Sequence, residues 1–561
     1  KNLYFMLFRS LFLWSLSVFF VSSIAKAQVY NWAYSAGGNG WDDVKSTYLG
    51  DDQATLVTGM FSNTAQFGAT SLTSTAYQDA FVAKYDQQGT LLWAKAISGD
   101  EQDWGYKVTS DHNNNVYVTG YFQSSSLHFT PNDSLIKNAQ SSRNVFLAKY
   151  SSSGVFQWAR LGSGGNTNAY LTSRSVTTDD QNNIIISGDY NKQVEFSGNQ
   201  LPASNGSNIF MVKYDPNGNV IWTKAGVSSS ICWFTDLTTD GANNIYGTGK
   251  ISTPITFGAT TVPNHSGDDL VIAKFDGSGT LAWMQVVGNY IMSTTTSNNF
   301  DCGSGIKVDN GGNVFVGGSL LDTTYYDANL NMLIVKQFAC ITKYNSSGVQ
   351  QWLKKFGNDE KDLITAIDLD VNGDVYAIGN YRNAFNVGGI ALPASNVTAA
   401  FVAKFSSSNG NTLFAHRNGT SVDEMEGYGI GVHPISGNVY TAGNYKSTST
   451  FSNNNLNCQG VWDIYLTLLN NNVVQGLSVV EDKDFVSVYP NPATSGLRIS
   501  MANPSGQVDA QVSVYSLLGH LVYNQKWNGS DLIDISTLAS GNYILEIGSG
   551  QQTHRKQFTK E

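Results

Sequence analysis

Asp368-Leu369-Asp370-Val371-Asn372-Gly373-Asp374 sets four oxygen-bearing side chains at alternating positions, as the first half of a calcium loop does to surround a hard cation. Gly379 stands where such a loop carries its bidentate Glu, so Asp368, Asp370, Asn372 and Asp374 are only a weak calcium candidate, and no other cofactor is expected. Trp41, Trp104 and Trp233 are the ligand-binding candidates, because exposed aromatic faces stack on sugars and grip proteins. Buried between structural units, the same rings would be packing. The acidic pairs Asp42-Asp43 and Glu424 with Glu426 could serve glycoside chemistry if their separation suited it. The seven His residues are scattered, and the chain has no His-Glu-x-x-His helix, Gly-x-Ser-x-Gly elbow, phosphate-binding Gly loop or Cys-x-x-Cys pair. No catalytic residue is expected.

What must position these residues is a repeat. A strand closes on Lys-aromatic at Lys84-Tyr85, Lys149-Tyr150, Lys213-Tyr214, Lys274-Phe275, Lys343-Tyr344 and Lys404-Phe405, at spacings of 61 to 69 residues. In the second unit the pattern predicts strands over Tyr106–Ser110, Asn115–Phe122, Val145–Tyr150 and Val155–Leu161, a four-stranded antiparallel meander. A turn Asp precedes strand two at Asp111, Asp179, Asp240, Asp309 and Asp370, where its side chain can cap backbone N–H groups. A Gly recurs inside strand two at Gly59, Gly120, Gly188, Gly249, Gly318, Gly379 and Gly443, which predicts a bulge or a close backbone approach. The recurrent Lys and the Asp43, Asp103, Asp301 and Asp362 series ahead of strand one read as structural ion pairs or snorkelling between units.

Trp marks strand four at Trp93, Trp158, Trp222, Trp283 and Trp352, with Phe414 in the sixth copy. After Leu469 the seventh copy lacks this strand, while Asn31-Trp32-Ala33 supplies an orphan copy at the other end. A rod has no use for a unit split between its termini, whereas a ring closes by it. The expectation is an all-β, seven-bladed β-propeller over residues 28–470, with residues 29–37 as the closing strand of the last blade. The motif Asp79-Ala80-Phe81-Val82-Ala83-Lys84-Tyr85, followed by Gly89, Trp93 and Asn115-Val116-Tyr117-Val118-Thr119-Gly120, resembles the bacterial β-propeller repeat of the SBBP family. The seventh copy departs from it with Leu468 in place of Lys, and the fifth carries an insertion around Asn289 to Asn299.

Charged residues form 14% of the 561 and the net charge is −10 without a basic stripe, which argues against a nucleic-acid partner. Lys1 and Arg9 precede an apolar stretch from Leu11 to Ile24 and the small-residue site Ala25-Lys26-Ala27, so residues 1–27 read as a signal peptide cleaved before Gln28. No later segment is long and apolar enough for a transmembrane helix. Four cysteines cannot form a disulfide framework. Cys232 and Cys302 both lie just ahead of strand one in successive repeats, and a bond between them is the expectation for an oxidising compartment.

Residues 471–484 read as a polar linker, and residues 485–561 as a separate small Ig-like β-sandwich. Tyr489-Pro490-Asn491-Pro492, Val514-Tyr515-Ser516-Leu517-Leu518-Gly519 and Leu538-Ala539-Ser540-Gly541-Asn542-Tyr543 resemble the type A C-terminal sorting domain of the type IX secretion system. That resemblance implies the secretion machinery as a partner, and a secreted or outer-membrane cell-surface location. The functional expectation is a non-enzymatic propeller that binds an extracellular protein or glycan through one face. The alternatives are an extracellular polysaccharide hydrolase or lyase using carboxylates in the funnel, and a structural surface display module.

Overall fold

A computed structural model describes residues 30–165, 168–203, 206–265, 267–288, 301–327, 332–357, 362–434, 436–470, 486–501, 510–516, 521–527, 532–536, 538, 541–549 and 552–560. The expected signal peptide, the interdomain linker and the fifth-repeat insertion lie outside the described residues. The described residues form strands joined by turns, with no helix long and apolar enough to cross a membrane.

Seven four-stranded antiparallel units occur among the described residues, and their first strands touch in a closed cycle, blade 1 against blade 2 and so on until blade 7 meets blade 1. This is a β-propeller. Blade 2 is typical: Asp103–Ser110 innermost, then Val116–Phe122, Asn144–Tyr150 and Phe156–Gly164 outermost. Strands two and three are apolar almost throughout because both sheet faces are covered by neighbouring blades. The core is accordingly a series of inter-blade layers, such as Leu56, Ala80 and Val82 of blade 1 against Val108, Val118 and Phe146 of blade 2.

The N-terminal segment closes the ring. Tyr30–Gly38 pairs antiparallel with Asp463–Leu469, from Tyr30↔Leu469 to Ala36↔Ile464, and so becomes strand four of blade 7. Its Ala36 joins Ile464 and Leu466 in packing on Val44, Val57 and Phe81 of blade 1.

Strand one bulges in every blade, and the recurrent Gly of strand two lies opposite each bulge. A Cβ at Gly59, Gly120, Gly188 or Gly443 would enter the carbonyl oxygen of Asp43, Trp104, Thr172 or Glu426. Because the obstacle is backbone, neither neighbour can rotate away. Gly120→Val is expected to cost at least ~3 kcal/mol in urea unfolding, while Gly165→Ala, with open space around its Cβ, should be nearly neutral.

The recurrent Lys and Trp form an inter-blade latch. Trp93 Nε1 and Lys84 Nζ both donate to Ser152 O of the next blade, at 3.1 and 3.5 Å. Trp222 and Lys213 share Gly277 O at 3.2 and 3.3 Å, and Trp352 and Lys343 share Ser407 O at 3.2 and 3.0 Å. In the closing strand, Trp32 Nε1 donates to Gln87 O of blade 1 at 3.2 Å. The ion pairs of these lysines go to the turn aspartates rather than to the Asp series ahead of strand one, as in Lys213–Asp179 at 2.8 Å and Lys404–Asp370 at 2.8 Å. A second strap was not legible in the sequence. The hairpins Thr64–Phe67/Thr70–Thr73, Val194–Phe196/Asn199–Leu201 and Ile255–Phe257/Thr260–Val262 each leave their own blade and pair with the outer strand of the preceding one.

Residues beyond 485 form two further sheets, one of Val486–Tyr489, Gly496–Met501 and Ile533–Asp534, the other of Ala510–Ser516, Leu521–Trp527, Gly541–Ser549 and Gln552–Lys560. They enclose their own core of Leu497, Val512, Val514, Trp527, Leu545, Ile547 and Phe558.

Candidate functional site

The bulges that require glycine in strand two also create the functional surface. At each one the register skips a residue of strand one: Lys45, Tyr106, Arg174, Thr235, Ser304, Thr365 and Tyr428. A skipped residue is free of the ladder, so its side chain is re-aimed. Here it meets the first strand of the neighbouring blade.

On blades 7, 1, 2, 3 and 4 these side chains build a continuous band of aromatic rings and cations. Lys45 pairs with Asp43 and lies 5.2 Å over the Tyr428 ring and 5.1 Å over Trp104. Trp104, Tyr106 and Tyr121 form a triangle with ring centroids 5.9 to 6.0 Å apart, and the Arg143 guanidinium covers Tyr121 at 4.5 Å. Arg174 reaches Tyr106 at 5.9 Å and Trp233 at 4.4 Å while bonding Asp189 at 2.6 Å. Lys250 lies 4.4 Å over the same Trp233 ring and pairs with Asp268 at 2.6 Å. At the blade 7 end, Lys446 sits 4.4 Å over Trp462 and pairs with Glu424 at 2.6 Å. Burial holds the Glu426 carboxyl above the usual range even though Tyr428 O–H donates to it at 2.8 Å.

Ion pairs also tie the first strands of different blades together. Asp236 of blade 4 takes Lys107 of blade 2 at 2.6 Å, Ser175 of blade 3 at 3.2 Å and the Ile306 N–H of blade 5 at 3.3 Å. Lys307 pairs with Asp368 at 3.0 Å. Burial alone would lower the Lys307 ammonium, but Asp368, Tyr48 and Asp236 hold it above the ordinary lysine value. Lys107, Asp236 and Lys307 line a cavity of about 240 Å³ together with strand-one residues of all seven blades. His112, near Asp51 at 2.9 Å and Asp180 at 3.7 Å, also lines this cavity.

The structure brings Trp104 and Trp233 into one band through Tyr106 and Arg174. Both lie inside the strand-one ladder rather than on the preceding loop, opposite Tyr121 and Lys250. Trp41 is on a loop, 43% exposed, in an isolated bridge with Trp462. Glu424 and Glu426 do not act as a pair, since they answer to Lys446 and Tyr428.

The calcium reading is not met. Asp368 turns to Lys307, and Asp370 accepts the Asn372 and Asp374 N–H groups, which makes it a turn cap. Lys404 occupies the space between Asp370 and Asp374 at 2.8 and 3.3 Å, so a cation of the protein already neutralises the loop. Among the described residues no group of three or more His, Cys, Asp or Glu side chains could hold a metal ion.

The Cys232–Cys302 bond is likewise corrected: both thiols are free and buried. Each closes a different blade junction. Cys232 Sγ is directed at Ser207 O of the preceding blade at 2.7 Å, whereas Cys302 Sγ lies 3.6 Å from Thr235 Oγ1. Sequence reasoning did not find Lys45, Tyr106, Arg174, Lys250 or Tyr428. Four of these are skipped positions, and no signal marks them, because the residues on either side (Val44 and Ser46, Gly105 and Lys107, Ser173 and Ser175, Gly427 and Gly429) vary between repeats as they do.

Residues 487–561 match the family described as the Secretion system C-terminal sorting domain. A WD repeat-containing protein of Acanthamoeba polyphaga mimivirus is 27% identical over 348 residues, 55% of this chain and 23% of that protein. The ulvan lyase of Nonlabens ulvanivorans is 44% identical over 64 residues, 11% of each chain. The chain thus spans 23% and 11% of the lengths of these curated relatives. Among solved structures, the extracellular domain of a hybrid two component system of B. thetaiotaomicron is similar at 10% identity and a TM-score of 0.23, covering 92% of this chain and 72% of that one. PorZ, a surface component of the type IX secretion system of Porphyromonas gingivalis, is similar at 9% identity and a TM-score of 0.16, covering 94% of this chain and 100% of that one. With its sorting domain, the chain is cargo of the type IX secretion system, secreted or delivered to the cell surface.

Proposed function

We propose that the exported ring is a non-enzymatic glycan-binding module, reached after removal of the signal peptide at residues 1–27. The observation that carries this reading is the band Trp104–Tyr106–Arg174–Trp233. Its rings offer flat apolar platforms for the C–H faces of sugars, and the Arg174–Asp189 and Lys250–Asp268 pairs between them offer donors and acceptors for hydroxyl groups. Each of these cations has its own carboxylate, which favours a neutral, hydroxyl-rich ligand over a polyanion. Binding rather than hydrolysis is supported by the axial carboxylates. Asp236 and Asp368 are committed to Lys107 and Lys307, which occupy the oxygens that attack or proton transfer would need.

A panel of purified polysaccharides and glycans tests the reading directly. The full chain should bind at least one neutral glycan, and Trp233→Ala or Arg174→Ala should weaken that binding about tenfold, equivalent to ~1.4 kcal/mol. Binding unchanged by both variants, release of reducing ends or unsaturated products, or affinity only for a surface protein would each overturn it.

A further inference from the structure

Six buried aspartates stand in pairs where strand three of one blade meets strand one of the next. The pairs are Asp463 with Asp42 at the closing seam, Asp79 with Asp103 between blades 1 and 2, and Asp269 with Asp301 between blades 4 and 5. All six are at most 3% exposed. The strand-three members hold one register position, opposite Tyr445, Phe61 and Ile251 at the end of strand two. At the equivalent places of other seams stand Asn144 with Leu171, Asn208 with Cys232, and Ala399 with Met425. A strand-three Asp therefore occurs only with a strand-one Asp, and where the first is Asn the second is apolar. Asp362 stands instead across from Phe338.

Two of the pairs face each other across a glycine, and Asp79 with Asp103 holds the same two register positions at its own seam. A Cβ at Gly37 would lie 2.8 Å from Asp463 Oδ1 and 2.9 Å from Asp42 Oδ2, and one at Gly288 would collide with Asp269 Oδ1 and lie 2.9 Å from Asp301 Oδ2. Asp463 Oδ1 is buried without a hydrogen-bond donor, and Asp269 Oδ1 has only the His265 ring Nδ1 nearby, at 3.5 Å. Most of the remaining oxygens accept backbone N–H groups, from Gly38 and Ser62 at Asp42, Gln459 at Asp463, Thr75 at Asp79, Gln123 and Ser124 at Asp103, His265 at Asp269 and Leu321 at Asp301, and the Ser124 hydroxyl donates to the second oxygen of Asp103 at 2.6 Å. These donors favour the ionised form, while burial and the partner's charge oppose it.

We propose that each pair holds one proton between its two carboxyl groups at neutral pH, so that the ring carries three protons that the unfolded chain does not. Two carboxylates this close and this dry cannot both ionise without a counter-charge. The other titratable neighbours do not supply one at every seam. They are Cys458 and Tyr445 at the closing seam, Tyr121 near Asp103, and His265, Asp268, Lys355 and Cys340 around Asp269 and Asp301. Burial first, and the partner carboxylate with it, pushes Asp42 and Asp103 up to about 7 and Asp301 up to about 8.

A carboxyl raised in the folded state stabilises the fold most below its unfolded value, and that contribution is lost as pH rises through the folded value. His416 and His433, pushed down by burial, oppose this slope on the acid side, so the informative comparison is between wild type and variant. The variant is the full chain with Asp42→Asn, Asp103→Asn and Asp301→Asn, an amide of the kind the protein carries on the strand-three side of other seams at Asn144 and Asn208. Wild type should release three more protons than this variant on unfolding at about pH 6. The variant should be the more stable of the two in urea at about pH 8. If the triple variant does not fold, Asp103→Asn alone should remove one proton, and wild type at neutral pH should show the infrared C=O band of protonated carboxyl groups. Equal proton release, absence of that band, or a wild-type midpoint at about pH 8 that responds to calcium against chelator would overturn the proposal.

Discussion

Removal of residues 28–38 abolishes the folded ring. The segment supplies the ladder from Tyr30↔Leu469 to Ala36↔Ile464, whose hydrogen bonds contribute about 1 kcal/mol each. It also buries Tyr30, Ala33 and Ala36, donates Tyr30 O–H to Asn418 at 2.8 Å and latches Trp32 onto Gln87 O of blade 1. The combined loss is on the order of the whole stability of an ordinary fold, ~5–15 kcal/mol. It also uncovers the Asp463–Leu469 edge, which invites association between chains. Circular dichroism and sedimentation of the truncated chain should show loss of cooperative unfolding and aggregation. A circular permutant carrying residues 28–38 after residue 470 through a flexible linker should regain both cooperativity and the monomeric state. A truncated chain that unfolds like wild type would refute ring closure by this strand.

Truncation after residue 486 separates folding from delivery. The sorting domain has its own core around Leu497, Val512, Val514 and Phe558, so its removal takes no layer from the propeller. The propeller should keep its spectrum and unfolding midpoint. Its export, however, depends on recognition of residues 487–561, and the surface and medium fractions should fall to background while the chain accumulates inside the outer membrane. Fractionation with immunoblotting reads this outcome. Undiminished surface delivery would show that another signal directs export.

Much of the architecture was legible because each blade repeats one local problem. The Lys-aromatic strand ends, the strand-four Trp and the strand-two Gly recur since every blade must latch to the next and pass a bulge, and the orphan Trp32 segment exposed the closure. The calcium reading failed at Asp370 because one pattern of alternating oxygens serves equally as a turn cap, and only the position of Lys404 distinguishes the two. The Cys232–Cys302 expectation failed because neighbouring places in successive repeats lie in successive seams, which are a blade apart.

The chain alone determined the repeat, its closure and the sorting domain, since these are written in local periodicities and contiguous motifs that each segment carries by itself. Tertiary structure decided the binding band and the buried carboxyl pairs. Arg174 meets Trp233 because the ring presses first strands of neighbouring blades together, and Asp269 meets Asp301 because strand three of one blade lies against the start of strand one of the next. Burial then changes what those groups are chemically, and burial is a property of the packed ring rather than of any segment within it.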